Sequence, residues 1–173
     1  MAYLGECGFS PSQSVNYSWA VRGARKVIPY ENPEGRRVNA LGVLVPFGER
    51  RSLWWDAVGR TIRSEDVLAV LDAIPRGEGE LVVVLDNAGI HHSRLVHEAE
   101  TRFAEQGIHL YYLPSYSPEL NLIESYFGVI KSTELPERTY TSIDSLRAAV
   151  NQAFYRTEAR LLAQPQQHLW PAA

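Results

Sequence analysis

Residues 81–85 form an uninterrupted apolar run, LVVVL, which is followed at once by Asp86 and Asn87. The run has the length of a strand, and its lack of alternation indicates that both of its faces are covered. Such strands lie in the middle of α/β sheets, where functional groups collect at the carboxyl ends. Asp86 lies at that end. An isolated Asp there is also typical of a helix or loop cap, so its function depends on the rest of the chain.

The rest of the chain supplies the other layers of such a fold. Hydrophobic periodicity, turn residues and helix caps predict the remaining elements. The predicted order is a β-hairpin followed by α, β, α, β, α, α, which indicates an α/β fold with a mixed sheet and helices on its faces. The elements are strands at about 36–46 and 50–56, a helix from Ser64 to Pro75, the 81–85 strand, a helix from Ser93 to Gly107, a strand at 108–113, and helices at about 119–133 and 142–161.

Length and composition fit one domain. The chain has 173 residues, 45% of them hydrophobic, which is enough to bury most of its apolar surface. We predict a domain over 1–163 and a flexible or docked tail over 164–173. The single cysteine, Cys7, cannot form an internal disulfide, so a reducing, cytoplasmic setting is expected. No signal peptide and no apolar stretch of about 18 residues is present, so no membrane span is predicted.

Positive charge is concentrated in one part of the chain. The net charge is −3, yet the segment from Arg22 to Arg63 contains nine Arg and Lys residues and four Asp and Glu residues. Such an excess is typical of a surface that binds nucleic acid, or simply of a solvated face. If the first reading holds, Arg22, Arg25 and Lys26 are candidate DNA-binding residues.

A second informative stretch, PSYSPELNLIESYFGVIK, covers residues 114–131. Its helical spacing predicts one buried stripe and places Glu124 and Lys131 on the adjacent stripe, two turns apart. A lone Glu in a first turn normally complements the helix dipole, and a lone Lys is normally a surface charge. Both together beside the strand that ends in Asp86 favour a functional site. The predicted buried residues are Leu120, Ile123, Phe127 and Ile130.

At the level of whole motifs, VVVLDNAGIHHS and LYYLPSYSPELNLIESYFGVIK resemble the catalytic core of the DDE transposases of bacterial insertion sequences, in the mariner-like superfamily. The N-terminal stretch YLGECGFSPSQSVNYSWAVRGARKVIPY resembles the opening strand of that family and the segment after it. The likeness extends from about residue 2 to residue 155. It implies a ribonuclease-H-like fold.

The resemblance also implies a chemistry, the Mg²⁺-dependent cleavage and transfer of DNA strands during transposition. Such enzymes use two metal ions roughly 3.5–4 Å apart for an in-line displacement at phosphorus. Asp86 matches the family's second acid and Glu124 its third, 38 positions apart, so both are expected to be catalytic and to bind Mg²⁺, with Mn²⁺ as a possible substitute. Asn87 and His91 would support the acids or contact DNA, and Lys131 would reach a phosphate.

The first acid of the family is missing. In the matching stretch, LGECGF, Gly5 occupies the place of the first Asp. Glu6 follows and is a weak catalytic candidate, because neighbouring residues of a strand point to opposite faces. Impaired catalysis is therefore expected.

The resemblance implies DNA as the partner, both element ends and target, and a homodimer associated with the bacterial nucleoid. The resemblance also implies a helix-turn-helix DNA-binding half, either upstream of the catalytic half or encoded separately. Two other functions stay open: a catalytically inactive remnant that binds DNA or dimerises, favoured by Gly5, and a metal-dependent hydrolase of small phosphate esters. The absence of a glycine-rich phosphate loop disfavours the hydrolase.

Overall fold

Five strands form one mixed sheet in the computed structural model of the chain. The strands are β1 (Ala2–Phe9), β2 (Val38–Val45), β3 (Ser52–Val58), β4 (Leu81–Leu85) and β5 (Ile108–Tyr112). Their order across the sheet is β3-β2-β1-β4-β5. β1 is central, antiparallel to β2 and parallel to β4. The described residues are 1–11, 21–24, 37–75, 79–135 and 140–164.

Helices cover both faces of this sheet. They are α1 (Ser64–Ala73), α2 (Arg94–Glu105), α3 (Leu122–Val129) and α4 (Ile143–Ala163). Buried side chains of α1 and α2 pack on one face, and those of α3 and α4 pack on the other. Val83 and Leu85 of β4 lie in the α1–α2 layer, and Val84, on the opposite face, is also buried, so the strand is covered on both faces near its carboxyl end.

Alternation along β1 distributes its residues between these two layers. Leu4 packs with the α1–α2 layer, whereas Cys7 and Phe9 pack with the α3–α4 layer. Gly5 therefore faces α3, and Glu6 faces the opposite side of the sheet.

The mixed sheet with flanking helices confirms the predicted architecture, including the hairpin and the helices that begin near Ser64 and Ser93. The element order read from hydrophobic patterns lacked β1, because two glycines and Glu6 interrupt its apolar residues. The opening strand implied by the family resemblance is present.

The prediction of one continuous helix over 119–133 is wrong. A 3₁₀ turn over Pro118–Leu120 precedes α3, and a π-helical segment over Ile130–Glu134 follows it. Leu120, predicted to be buried, is 52% exposed, because it belongs to the 3₁₀ turn and not to α3. Among the described residues, no helix is long and apolar enough to cross a bilayer.

Candidate active site

Asp86 follows the carboxyl end of β4, and two groups hold its side chain. The backbone N–H of Ala88 donates to Oδ1 at 3.1 Å, and Nδ1 of His91 lies 2.7 Å from the same oxygen. The hydrogen bond from His91, assisted by the N–H of Ala88, lowers the pKa of Asp86 against the opposing effect of burial. The carboxylate is therefore ionised at neutral pH and fixed in direction.

His91 is fully buried, so its ring presents no surface to a nucleic acid. Its Nδ1 faces Asp86, and its Nε2 has no hydrogen-bond partner among the residues that the structure describes. Of the two roles implied by the resemblance, burial favours support of Asp86 over contact with DNA.

Glu124 lies in the first turn of α3, which is anchored to β1 by Asn121. The Asn121 side chain is buried at the helix N-cap position, and its Nδ2 donates to the carbonyl of Leu4 at 2.9 Å. Leu4 pairs with Leu85 in the sheet, and the next residues along the two strands are Gly5 and Asp86. Asn121 thus sets the start of α3 beside the end of β4. Asn121 was not among the site residues predicted from the sequence.

Glu124 lies beside Gly5, close enough to Asp86 for the charge of one acid to act on the other. A Cβ atom built on Gly5 would lie 3.3 Å from Oε1 of Glu124. Burial, then the negative charge of Asp86, raise the pKa of Glu124, and the positive charge of Lys131 opposes them. Asp86 is therefore the more readily ionised acid, and Glu124 the one more readily protonated.

Glu6 faces a different part of the surface. It lines an open cavity of about 450 Å³ together with Arg37, Asn39 and Arg60. Partial burial raises the pKa of Glu6, and the charges of His91 and Asp86 act on it in opposite directions. The charge of Asp86 acts on Glu6, and the charge of Glu6 acts on Glu124. The Glu6 side chain nevertheless lies on the other face of β1.

Asn87 belongs to the rim of a second cavity, of about 340 Å³, which opens onto Asp86. The side chain of Asn87 donates to Oγ of Ser115, which ties the end of β4 to the loop after β5. Tyr116 in this loop is fully exposed and has a φ of 60°. A left-handed conformation is unusual for a tyrosine. The loop that holds it is restricted by the hydrogen bond from Asn87 and by Pro114 and Pro118.

Lys131 lies in the π-helical segment, on the side of Glu124. Its Nζ is 5.7 Å from the centre of the Phe9 ring. The Lys131 charge lowers the pKa of Glu124, and it also acts on the buried Cys7, whose thiol pKa burial raises to about 12. Cys7 is thus an inert thiol beneath the site.

The basic region is only partly described. Arg22 is exposed, whereas Arg25 and Lys26 lie outside the described residues. Two other arginines have partners within the chain. Arg51 donates to the carbonyl of Gln164 at 2.7 Å, and Arg60 forms a bidentate ion pair with Asp66. Arg37, in the Glu6 cavity, was not singled out from sequence, although the positive excess includes it.

The donor set restricts which metal centre fits. Among the residues that the structure describes, no three His, Cys, Asp or Glu side chains form a group that could hold a metal ion. Two carboxylates suffice for one Mg²⁺ ion, which keeps several water ligands. A two-ion centre of three acids does not fit, because position 5 carries no side chain.

Glu124→Gln is expected to raise the thermal stability of the metal-free protein at pH 7. A raised pKa means that the fold favours protonated Glu124. The contribution of this protonated side chain to folding stability is therefore fully present below the ordinary pKa of 4.5 and is lost as pH rises through the raised pKa. Removing the charge should gain on the order of 1 kcal/mol, or about 2–4 °C in Tm.

Melting curves from pH 4 to pH 8 would check this prediction, with the exposed Glu119→Gln as a matched control. The gain should vanish at the acid end of the series. A gain independent of pH, or a loss at pH 7, would contradict it.

Comparisons with known proteins bear on this geometry. The model of the family described as DDE superfamily endonuclease matches residues 1–147. No curated protein matches the chain.

Solved structures share the fold at low sequence identity. The Mos1 mariner paired-end complex with Mg has a TM-score of 0.62 and 14% identity, and covers 92% of this chain and 51% of that one. The Mos1 strand transfer complex has a TM-score of 0.57 and 13% identity, with 93% and 52% covered. An intasome of simian T-cell lymphotropic virus, in complex with the PP2A regulatory subunit B56 gamma, has a TM-score of 0.56 and 15% identity, with 99% and 57% covered.

The chain therefore spans about half the length of the Mos1 chains that it matches. The likeness confirms the predicted ribonuclease-H-like fold. Since the family model covers most of the sequence, the chain belongs to the family of DDE superfamily endonucleases.

Proposed function

We propose that this chain is the catalytic domain of a DDE transposase, which cuts DNA strands and joins them to target DNA during transposition. The observation that supports it most is that Glu124, beside Gly5, lies close enough to Asp86 for their charges to interact, although the two acids belong to separate elements of the fold. Position 5 carries no acid, so the rate is expected to be low.

In this proposal Asp86 and Glu124 hold a divalent cation, Mg²⁺ or Mn²⁺. The bound ion would activate the attacking oxygen and stabilise the leaving one. His91 orients Asp86 through its hydrogen bond, and Asn121 holds Glu124 in place by anchoring α3 to β1. Two Mos1 neighbours are described as complexes with Mg and with Mn, which supports use of either ion here.

The test of catalysis is nicking of supercoiled plasmid by the purified chain at high DNA concentration. Slow nicking that requires Mg²⁺ or Mn²⁺ and stops with EDTA is the expected result. Nicking that persists in EDTA would refute the metal-dependent mechanism.

A second candidate function is a DNA-binding remnant that does not cut. The packing of Gly5 against α3 favours it, because no acid is available at that position. Salt-dependent DNA binding without nicking in either metal ion would support the remnant against the enzyme.

DNA binding is expected to weaken steeply as salt rises, because contacts with phosphates release counterions. The proposed phosphate contacts are Lys131, Arg37 and Arg22, which the structure describes, together with Arg25 and Lys26. Lys131→Gln should reduce the slope of log K against log salt by about 1.

Fluorescence anisotropy on short duplexes between 50 and 200 mM salt, a range over which such contacts are measurable, would give that slope. Arg102→Gln is the matched control. Arg102 lies in the last turn of α2, whereas His91 precedes the first turn of that helix, and Arg102 pairs with Asp72 of α1. Equal slopes for the wild type and Lys131→Gln would exclude Lys131 from the interface.

The proposal includes a homodimer, a separately encoded helix-turn-helix half, and a cytoplasmic, nucleoid-associated location. Description of the Mos1 neighbours as paired-end complexes supports assembly on DNA. Light scattering with and without DNA would measure the stoichiometry.

A further inference from the structure

Two glycines lie side by side beneath α3. Gly5 of β1 and Gly42 of β2 are cross-strand partners. A Cβ atom on Gly5 would lie 2.8 Å from Cγ2 of Ile123, and one on Gly42 would lie 3.0 Å from Cδ1 of the same residue. Both would also lie 3.3 Å from the ring of Phe127. The two glycines therefore allow α3 to approach the sheet more closely than any other residues would.

Ile123 cannot easily move out of this contact. It is fully buried in the core between the sheet and α4. Its Cγ2 is a branch methyl fixed by a single χ1 rotation, and β-branched side chains in helices have one strongly preferred rotamer. A side chain at position 5 would therefore displace α3 itself, together with Glu124, the next residue of the helix.

We propose that Gly5, Gly42 and Ile123 form a packing contact, here called the glycine seat, that keeps the site to two carboxylates and to one divalent ion. An Asp at position 5 would bring its Cβ to 2.8 Å from Cγ2 of Ile123, closer than Cβ contacts normally are, and to 3.3 Å from Oε1 of Glu124. The site thus lacks the first acid, and a Cβ at that position fits only if Ile123 shifts. The ion count rests on the proposed function, whereas the packing does not.

The glycine seat differs from a simple loss of an acid. If Gly5 were only a missing carboxylate, Gly5→Asp alone would complete the metal centre. If the seat exists, Gly5→Asp needs a second change that removes Cγ2 of Ile123. Ile123→Leu does so at almost constant volume, because leucine is not branched at Cβ.

Melting without metal tests the seat first. Gly5→Ala and Gly42→Ala should each lower Tm by roughly 2–10 °C, as overpacked cores do. Ile123→Leu should relieve Gly5→Ala, and Ile123→Val, which removes Cδ1, should relieve Gly42→Ala. Gly128→Ala in the same helix is the control and should not lower Tm, because its Cβ meets nothing within 4 Å. Unchanged Tm for Gly5→Ala, or relief of both glycine variants by the same Ile123 variant, would overturn the seat.

Titration calorimetry with Mn²⁺ alone tests the ion count. The wild type should bind one ion per chain, Gly5→Asp should bind one at most because Glu124 is displaced, and Gly5→Asp with Ile123→Leu should bind two. A second ion bound by Gly5→Asp alone, at unchanged Tm, would overturn the proposal. Absence of Mn²⁺ binding in every variant would overturn the ion count and the proposed function, while the melting pattern would still decide the seat.

Discussion

Asp86→Asn is expected to lower metal-dependent DNA cleavage by roughly 10²–10⁴-fold, because a metal-held centre contributes several kcal/mol to transition-state stabilisation. Asparagine keeps the size of the side chain and an oxygen that can accept from the Ala88 N–H. It removes the charge that the ion requires. Calorimetry should therefore show loss of Mn²⁺ binding, and the nicking rate should fall to its value in EDTA.

The other readouts for Asp86→Asn separate chemistry from binding. DNA affinity at low salt should be unchanged or slightly higher, because a negative charge has been removed near the phosphates. Asp56→Asn, on the exposed edge strand β3, is the matched control and should cleave like the wild type. Cleavage by Asp86→Asn at the wild-type rate would place the metal elsewhere, with Glu6 as the next candidate.

Much of the fold is predictable from local patterns. The run Leu81–Leu85 predicted a strand covered on both faces, and helix caps and periodicity located α1 and α2. These signals are local in sequence, so they survive without knowledge of tertiary contacts. β1 has no such signal, because Gly5, Glu6 and Gly8 interrupt it. Its place in the centre of the sheet depends on pairing with β2 and β4.

Parts of the candidate site were less accessible to sequence reasoning. Strand and helix spacing singled out Asp86 and Glu124, but only the whole-motif resemblance implied that they are catalytic, since neither residue differs locally from a capping acid. Asn121 acts through a contact with Leu4, 117 positions away, which no periodicity encodes. Gly42 did carry a signal: an isolated glycine within an apolar strand indicates close approach of another element.

The π-helical segment that carries Lys131 is held by an ion-pair cluster. Glu134, the last residue of the segment, has a side chain that is 3% exposed. Nε of Arg156 lies 3.0 Å from its Oε2, and Arg160 pairs with its Oε1. Arg156 also donates to the backbone carbonyl of Glu134. Both arginines belong to α4, so the cluster joins the end of the Lys131 segment to the long helix.

Replacing both arginines, Arg156→Met with Arg160→Met, is expected to destabilise the domain by about 3–5 kcal/mol, because it leaves the buried carboxylate of Glu134 without a partner. Removing the acid while keeping both arginines should destabilise the domain less. Glu134→Gln removes the buried charge, and the arginines it leaves are 45% and 61% exposed, so water can solvate them. Adding Glu134→Met to the arginine double variant should recover most of the loss.

Urea denaturation of these variants gives the free energies directly. Arg147→Met is the matched control on α4, since its partner Asp144 is 80% exposed and such surface pairs contribute about 0–1 kcal/mol. A loss of under about 1 kcal/mol, or one unaffected by Glu134→Met, would mean that packing rather than this cluster fixes the segment that carries Lys131.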